Sequence, residues 1–315
     1  MVSALGIGVT LAAATIWAFA SVAYKSALGA EGIENRDPFT SIGVRIAILV
    51  AFLAILLTFF GNFAPILALP LNQAVAYWML GVINGGITLV GDICYFTALR
   101  YIDSSRVYPL INIQILFTYP LAHLFFLENI PPLMWIAGIL MILGVLLISK
   151  KDGQDRGMEI RSANDQKNTH MLGIILGLCV GLAFALQYLI LQGQNRIYNS
   201  VFESNFTRIA SYAVMIWTYL LITRKHLPHW SNPSKREQMI AYIKMGIVGC
   251  LSMGFGDSIY QIGVNENGSA LSITLASSSP LINQIFACFI LKEKFRRYFI
   301  IGVLCIVMGT ILVVI

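Results

Sequence analysis

The sequence predicts an all-α integral membrane protein in which ten transmembrane helices form two inverted five-helix repeats. Three observations carry that expectation. Hydrophobic residues make up 57% of the 315-residue chain and charged residues 11%, with a mean hydropathy of +0.76, whereas a soluble domain carries about 25% charged residues. Ten apolar runs reach the roughly 17 to 25 residues that a helix needs to cross a bilayer. Finally, residues 91–128, opening GDICYFTALRYIDSS, are echoed 165 positions later by residues 256–293, opening GDSIYQIGVNENGS.

In register, this echo pairs Gly91 with Gly256, Asp92 with Asp257, Tyr95 with Tyr260, Ser104 with Ser269, Glu128 with Glu293 and Gly144 with Gly309. Each copy lies in a set of five runs. Five is odd, so the copies must face opposite ways across the membrane. Inverted repeats of this kind are characteristic of secondary transporters, because two similar half-structures can exchange roles on the two sides.

The first run, residues 3–28, has no basic cluster before it and outlasts a signal-peptide core, so it reads as a retained span. The second, 39–60, and third, 73–100, carry Arg45 and Asp92. Gly81 and Gly85 in the third form a GxxxG, a spacing that lets helix backbones approach closely in lipid. The fourth, 104–127, holds Pro109 and Pro120, each of which removes a backbone donor and bends a helix. The fifth, 132–149, closes a first repeat over 1–149. A polar stretch at 150–170 reads as a flexible linker. The second repeat, 171–315, has spans at 171–193, 202–223, 240–264, 269–291 and 297–315. Gly173, Gly177 and Gly181 continue the small-residue pattern in the sixth span. The SSSP at 277–280 in the ninth offers hydroxyls beside the break that Pro280 introduces.

Basic residues set the orientation. All but three of the 21 Lys and Arg fall on one face: Arg196 lies on the other, and Arg45 and Arg208 lie within spans. Cytoplasmic loops retain such an excess. The 150–170 linker is therefore expected in the cytoplasm, both termini outside, and the protein in the cell membrane. The formal charge of +6 is accounted for by this topology stripe, so nucleic acid is not expected as a partner. The five cysteines are scattered through the spans without CxxC or Cys/His grouping, which implies neither disulfide nor metal. No cofactor is expected.

Charges inside hydrocarbon cost about 2.5 to 3.5 kcal/mol each on insertion scales, so those present usually face a partner or a wet cavity. Arg45 sits about 9 Å and Asp92 about 12 Å from the cytoplasmic ends of their helices at 1.5 Å per residue. They are level. Arg208 and Asp257 occupy matching positions toward the outer face. Two ion pairs are expected, Arg45 with Asp92 and Arg208 with Asp257. One reading is interhelical fastening. The other has each aspartate bind a proton or cationic substrate in one conformation and its arginine in the other, coupling transport to a rocking motion. Glu128 and Glu293 end the fourth and ninth spans and read as helix-terminus residues; His123, alone in the fourth span, reads as a packed or hydrogen-bonded histidine.

Other polar and aromatic groups fit a buried cavity better than a lipid face: Trp17, Tyr24, Tyr95, Asn112, Gln187, Tyr260, Ser277 and Gln284, together with Asp92 and Asp257. Such a lining suits a small amphipathic organic solute. The segments GVINGGITLVGDICYFTALRYIDSSRVYPL and FFLENIPPLMWIAGILMILGVLLI, with Tyr-x-x-Ala-Leu-x-Tyr at 95–101 and Glu128 followed by Gly138 and Gly144, resemble the drug/metabolite transporter superfamily and its ten-span EamA-type members. In the second copy, Gln261 and Gly263 stand where that pattern has an aromatic residue and Ala. The resemblance implies a central cavity, alternating access, and substrates such as amino acids, nucleosides or drug-like solutes, frequently exported. Proton or ion coupling, oligomeric state and substrate stay open. A passive channel or a lipid flippase on the same repeat is the alternative. No HExxH, GxSxG or GxGD pattern suggests an enzyme.

Overall fold

The computed structural model describes residues 2–28, 38–101, 110–149, 163–224, 233–290 and 298–314, and every regular element among them is helical. In chain order these are α1 (Ala4–Leu28), α2 (Pro38–Phe60), the single turn α3 (Ala64–Leu67), α4 (Leu71–Tyr101), α5 (Gln114–Phe126), α6 (Pro132–Ser149) and α7 (Ala163–Ile197). They continue as α8 (Val201–Ile222), α9 (Pro233–Gly249), a π-helical segment (Cys250–Gly256), α10 (Asp257–Asn267), α11 (Ser269–Ala276), α12 (Ser279–Ile290) and α13 (Phe299–Val314). Arg36, Arg106, Pro109, Ser104, Glu293 and most of the 150–170 stretch lie outside the described residues.

Six described segments are long and apolar enough to cross a membrane, and shorter apolar helices run over Leu110–Phe126, Pro132–Leu147 and Ile300–Leu312. The tenth crossing is α8. Its first two turns bury Glu203, Ser204, Asn205, Thr207 and Arg208, so it is long enough to span but polar where it meets its neighbours. Crossings eight and nine are each assembled from pieces: α9, the π segment and α10 form one, α11 and α12 the other. The break between α11 and α12 falls at Ser277–Ser278, just before Pro280. There Ser277 and Ser278 return their hydroxyls to Ile273 O and Leu275 O at 2.8 Å each. Helix α7 starts at Ala163, inside the stretch expected as linker.

Alternation of the crossings is visible at one end of the bundle. Ser3 N donates to Asn267 Oδ1 at 2.7 Å, Asn62 N to Glu203 Oε1 at 2.6 Å, Asn265 Nδ2 to Asn199 Oδ1 at 2.9 Å and Arg196 to Phe126 O at 3.4 Å. The start of α1 and the connections after α2, α5, α7 and α10 therefore share one face. Helix α1 begins there whereas α7, its counterpart in the second repeat, ends there. The two repeats are inverted.

Packing follows the same pseudo-symmetry: α1 lies along α10, and α4 along α7; α6 lies along α13. Glycines make these approaches possible. A Cβ on Gly144 would stand 2.7 Å from Gly302 O, and one on Gly309 2.9 Å from Ala137 O, so α6 and α13 touch backbone to backbone at both ends of their contact. Lipid is as apolar as the side chains it would replace. Close van der Waals contact and interhelical hydrogen bonds, the latter averaging about 0.6 kcal/mol each, supply the association energy.

Candidate functional site

The interior polar groups converge on α8. Arg208 and Tyr212 are four residues apart on it, hence on one face and about 6 Å apart in height. Each serves a different aspartate. Tyr212 donates its hydroxyl to Asp92 Oδ2 at 2.6 Å, and the same oxygen is the salt-bridge acceptor for Arg45 Nη2. Arg208 Nη2 donates to Asp257 Oδ2 at 2.7 Å and to Asn205 Oδ1 at 2.6 Å. Both pairs are buried, and Arg208 is wholly so.

The Arg45–Asp92 pair lies toward the end at which α2 begins and the Arg208–Asp257 pair toward the end at which α8 begins, with Arg208 and Tyr212 one helical turn apart on α8. Arg45 lies two turns from the start of α2, and its guanidinium carbon stands 5.4 Å from the centroid of the Phe96 ring. A buried ion pair recovers its desolvation cost only when its remaining donors and acceptors are also satisfied. Here Tyr212, Asn205 and Trp17 supply part of that.

The π segment shapes the second pair. Side chains from two other helices reach its main-chain carbonyls. Asn205 Nδ2 donates to Met253 O at 3.0 Å and Gly254 O at 3.1 Å, and to Ser258 Oγ at 2.9 Å. Trp17 Nε1 donates to Asp257 Oδ1 at 3.0 Å and to Ser252 O at 3.3 Å. Tyr24 shares a hydrogen bond with Ser252 Oγ at 3.2 Å. Such π turns inside α-helices recur at functional sites.

Above Asp257 lies an aromatic cluster. Tyr188 and Tyr260 have ring centroids 4.6 Å apart, Trp17 and Tyr260 5.1 Å, and Trp17 and Tyr188 5.9 Å, all tilted. The Tyr260 hydroxyl and both ends of the Gln261 amide are buried without a hydrogen-bond partner in the chain, as are Nε and Nη1 of Arg208. Gln187, on α7, is tied to the facing helix by Thr88 Oγ1, which donates to its Oε1 at 3.2 Å, and by Asn84 Nδ2, which donates to its carbonyl at 3.1 Å.

The structure thus gathers Trp17, Tyr24, Arg45, Asp92, Gln187, Arg208, Asp257 and Tyr260 around α8 and the π segment. Tyr95 is half-buried beside Phe96, ring centroids 5.4 Å apart, against the apolar cluster that includes Tyr212. Others sit elsewhere: Asn112 is buried on the stretch before α5. Ser277 spends its hydroxyl on its own helix, and Gln284 Nε2 reaches Cys288 Sγ at 3.5 Å one turn along α12. His123 is exposed at the end of α5, its Nδ1 2.9 Å from Glu128 O, and is not packed in a core.

Sequence reasoning passed over Tyr188, Asn205, Tyr212 and Ser252. Only Tyr212 had a readable signal, its i+4 spacing from a charged residue inside a span. Among the described residues, no three His, Cys, Asp or Glu are grouped to hold a metal ion.

A model of the EamA-like transporter family matches residues 4–150 and again residues 171–315. The chain belongs to this EamA-like transporter family. Its two matches coincide with the two five-helix sets, and the EamA assignment makes the protein a multi-pass membrane transporter for a small-molecule substrate. A crystal structure of another protein aligns with 98% of this chain and 95% of its own at a TM-score of 0.73 and 14% identity. At that identity the likeness speaks for the EamA fold alone. No curated protein matches the sequence.

Proposed function

We propose that this protein is a secondary transporter that moves a small organic metabolite by alternating access. The observation that carries the reading is the placement of its two buried ion pairs. By packing, α1, α2, α9, α10, α11 and α12 form one bundle and α4, α5, α7 and α8 a second, the two joined along an extensive α2–α8 contact, with α6 and α13 paired at the side. Each bundle mixes helices of both repeats. Arg45 on α2 meets Asp92 on α4, and Arg208 on α8 meets Asp257 on α10. Both salt bridges therefore cross from one bundle to the other. The neutral donors do not: Tyr212 and Asp92 share the second bundle, Trp17 and Asp257 the first.

Rocking the bundles would part each arginine from its aspartate and leave the aspartate with its aromatic donor. A carboxylate released this way can take up a proton or a cationic group, which ties ion uptake to the conformational change. Substrate would lie against Trp17, Tyr188 and Tyr260 with the unpartnered donors and acceptors of Arg208, Tyr260 and Gln261 in reach. Binding rather than bond chemistry is what this constellation supports. The termini are assigned to the outside of the cell membrane and the 150–170 linker to the cytoplasm, on the basic-residue bias.

Thermal-shift screening against amino acids, nucleosides and polyamines would find ligands that favour the folded state. Those hits would then be followed as radiolabelled solutes in proteoliposomes. Saturable uptake, accelerated by unlabelled substrate on the far side, is the expected result. Flux linear in concentration would mean a channel, and translocation of labelled lipid a flippase. An impermeant thiol reagent should reach a cysteine placed in 150–170 only after the cells are opened.

A further inference from the structure

The Glu128 carboxylate plays no part in the ion pairs, yet it is the best-satisfied acidic group at the outer end of the bundle. Its Oε1 accepts Ser269 N at 3.0 Å, Ser269 Oγ at 3.2 Å and Gln192 Nε2 at 2.7 Å, and its Oε2 accepts Ala270 N at 3.0 Å. Ser269 and Ala270 are the first residues of α11. The carboxylate thus caps that helix, where unpaired N–H groups and the positive end of the dipole favour an anion.

The origin of this cap is unusual. Helices are normally capped by the residue just before them, commonly Ser, Thr, Asp or Asn. Before α11 stands Gly268, which has no side chain and holds φ at +81°. A Cβ there would stand 3.0 Å from the Glu128 carboxylate. The local position is vacated and the acceptor comes from α5, 141 residues away in sequence and in the opposite bundle. Gln192, which steadies it, is on α7 of its own bundle.

The chain also invests in aiming it. Leu127, a non-glycine residue, adopts φ 53°, and its N–H and that of Glu128 return to His123 O and Ala122 O. That left-handed turn costs roughly 1 to 2 kcal/mol and ends α5 so that the next side chain faces α11. Deeper along the same seam the Tyr119 and Thr274 hydroxyls meet at 2.6 Å, and near its end Asn195 Nδ2 donates to Asn265 Oδ1 at 3.2 Å.

We infer that Glu128 is the latch of the outer gate: a cap that α11 has only while the two bundles are closed on the outer side. Opening that side strips the three hydrogen bonds that Ser269 N, Ser269 Oγ and Ala270 N make to the carboxylate, and leaves the α11 N-terminus to water. A residue with a purely static role would be expected on the same bundle as the helix it caps. The inference rests on the alternating-access reading above, and it concerns the gate rather than the substrate.

The test is a cross-link at the seam that needs no substrate. With Asn195→Cys and Asn265→Cys introduced together, oxidation by copper phenanthroline in detergent should form a disulfide quickly, scored by peptide mass spectrometry. Adding Glu128→Gln, which removes the charge and one acceptor oxygen, should slow the initial rate about tenfold, in keeping with the strength of hydrogen bonds to charged groups. Gln192→Ala should slow it less. Should Glu128→Gln fail to elute as a monodisperse species, Gln192→Ala carries the test alone. Unchanged rates in the folded variants would overturn the latch. Absence of saturable transport by the parent protein would count against the carrier reading, whereas the cross-link rates judge Glu128 either way.

Discussion

Tyr212 and Asp92 belong to different repeats, yet the tyrosine hydroxyl donates to the aspartate at 2.6 Å from a position one turn below Arg208. Helix α8 therefore touches both ion pairs, and a shift of α8 must be felt at both. Replacing Tyr212 with Phe removes only this donor. A hydrogen bond to a charged group is worth about 1.5 to 3 kcal/mol, so thermal unfolding in detergent should show a clear drop in Tm. A Tyr212→Phe, Asp92→Asn cycle should be non-additive, since both changes remove the same bond.

Asp257→Asn leaves the wholly buried Arg208 without a counter-charge. Breaking a buried pair from one side costs about 3 to 5 kcal/mol, whereas exchanging both members for apolar residues is often nearly neutral. The single variant should lose more folded protein by fluorescence size-exclusion than the Arg208→Met, Asp257→Leu double variant. In liposomes the double variant is expected to lose any response of transport to a pH gradient.

Tyr260→Phe separates packing from recognition. Its hydroxyl is buried with no partner in the chain, and removing an unsatisfied buried polar group is close to neutral or stabilising. Tm should hold or rise while substrate affinity falls, by about tenfold for one lost hydrogen bond of roughly 1.4 kcal/mol. Equal affinity in the two proteins would take Tyr260 out of the binding site.

Gly85→Ala tests the seat of α8. A Cβ at Gly85 would stand 2.7 Å from Arg208 O and 2.8 Å from Tyr212 N, both main-chain atoms that cannot rotate away. Forcing α4 and α8 apart should cost about 1 to 3 kcal/mol and weaken both ion pairs together. Gly8→Ala, with nothing within 4 Å of the added Cβ, is the control and should leave Tm unchanged.

Much of the architecture is written in the chain at low resolution. Apolar run length locates the crossings, because hydrocarbon thickness imposes a minimum on each of them. Basic-residue bias and an odd number of spans per copy then require inversion. The four intramembrane charges announce themselves, since residues so costly in lipid demand partners. Pairing by level places Arg45 beside Asp92 and Arg208 beside Asp257.

Other features carry no such mark. The π turn at Cys250–Gly256 keeps the apolar character of its neighbours and shows itself only through the carbonyls that Asn205 and Trp17 reach. Tyr188 and Tyr212 resemble any aromatic residue of an interfacial belt until their ring and hydroxyl partners are seen. Glu128 reads as a solvated helix end, because its partners Ser269 and Ala270 lie across the bundle seam. Composition and periodicity report how each residue meets its solvent, which here is lipid, and so they yield the crossings and the outlying charges. Which helices lie on one moving body and which contacts bridge two depends on distances between residues far apart in sequence, and those exist only once the inverted halves interleave.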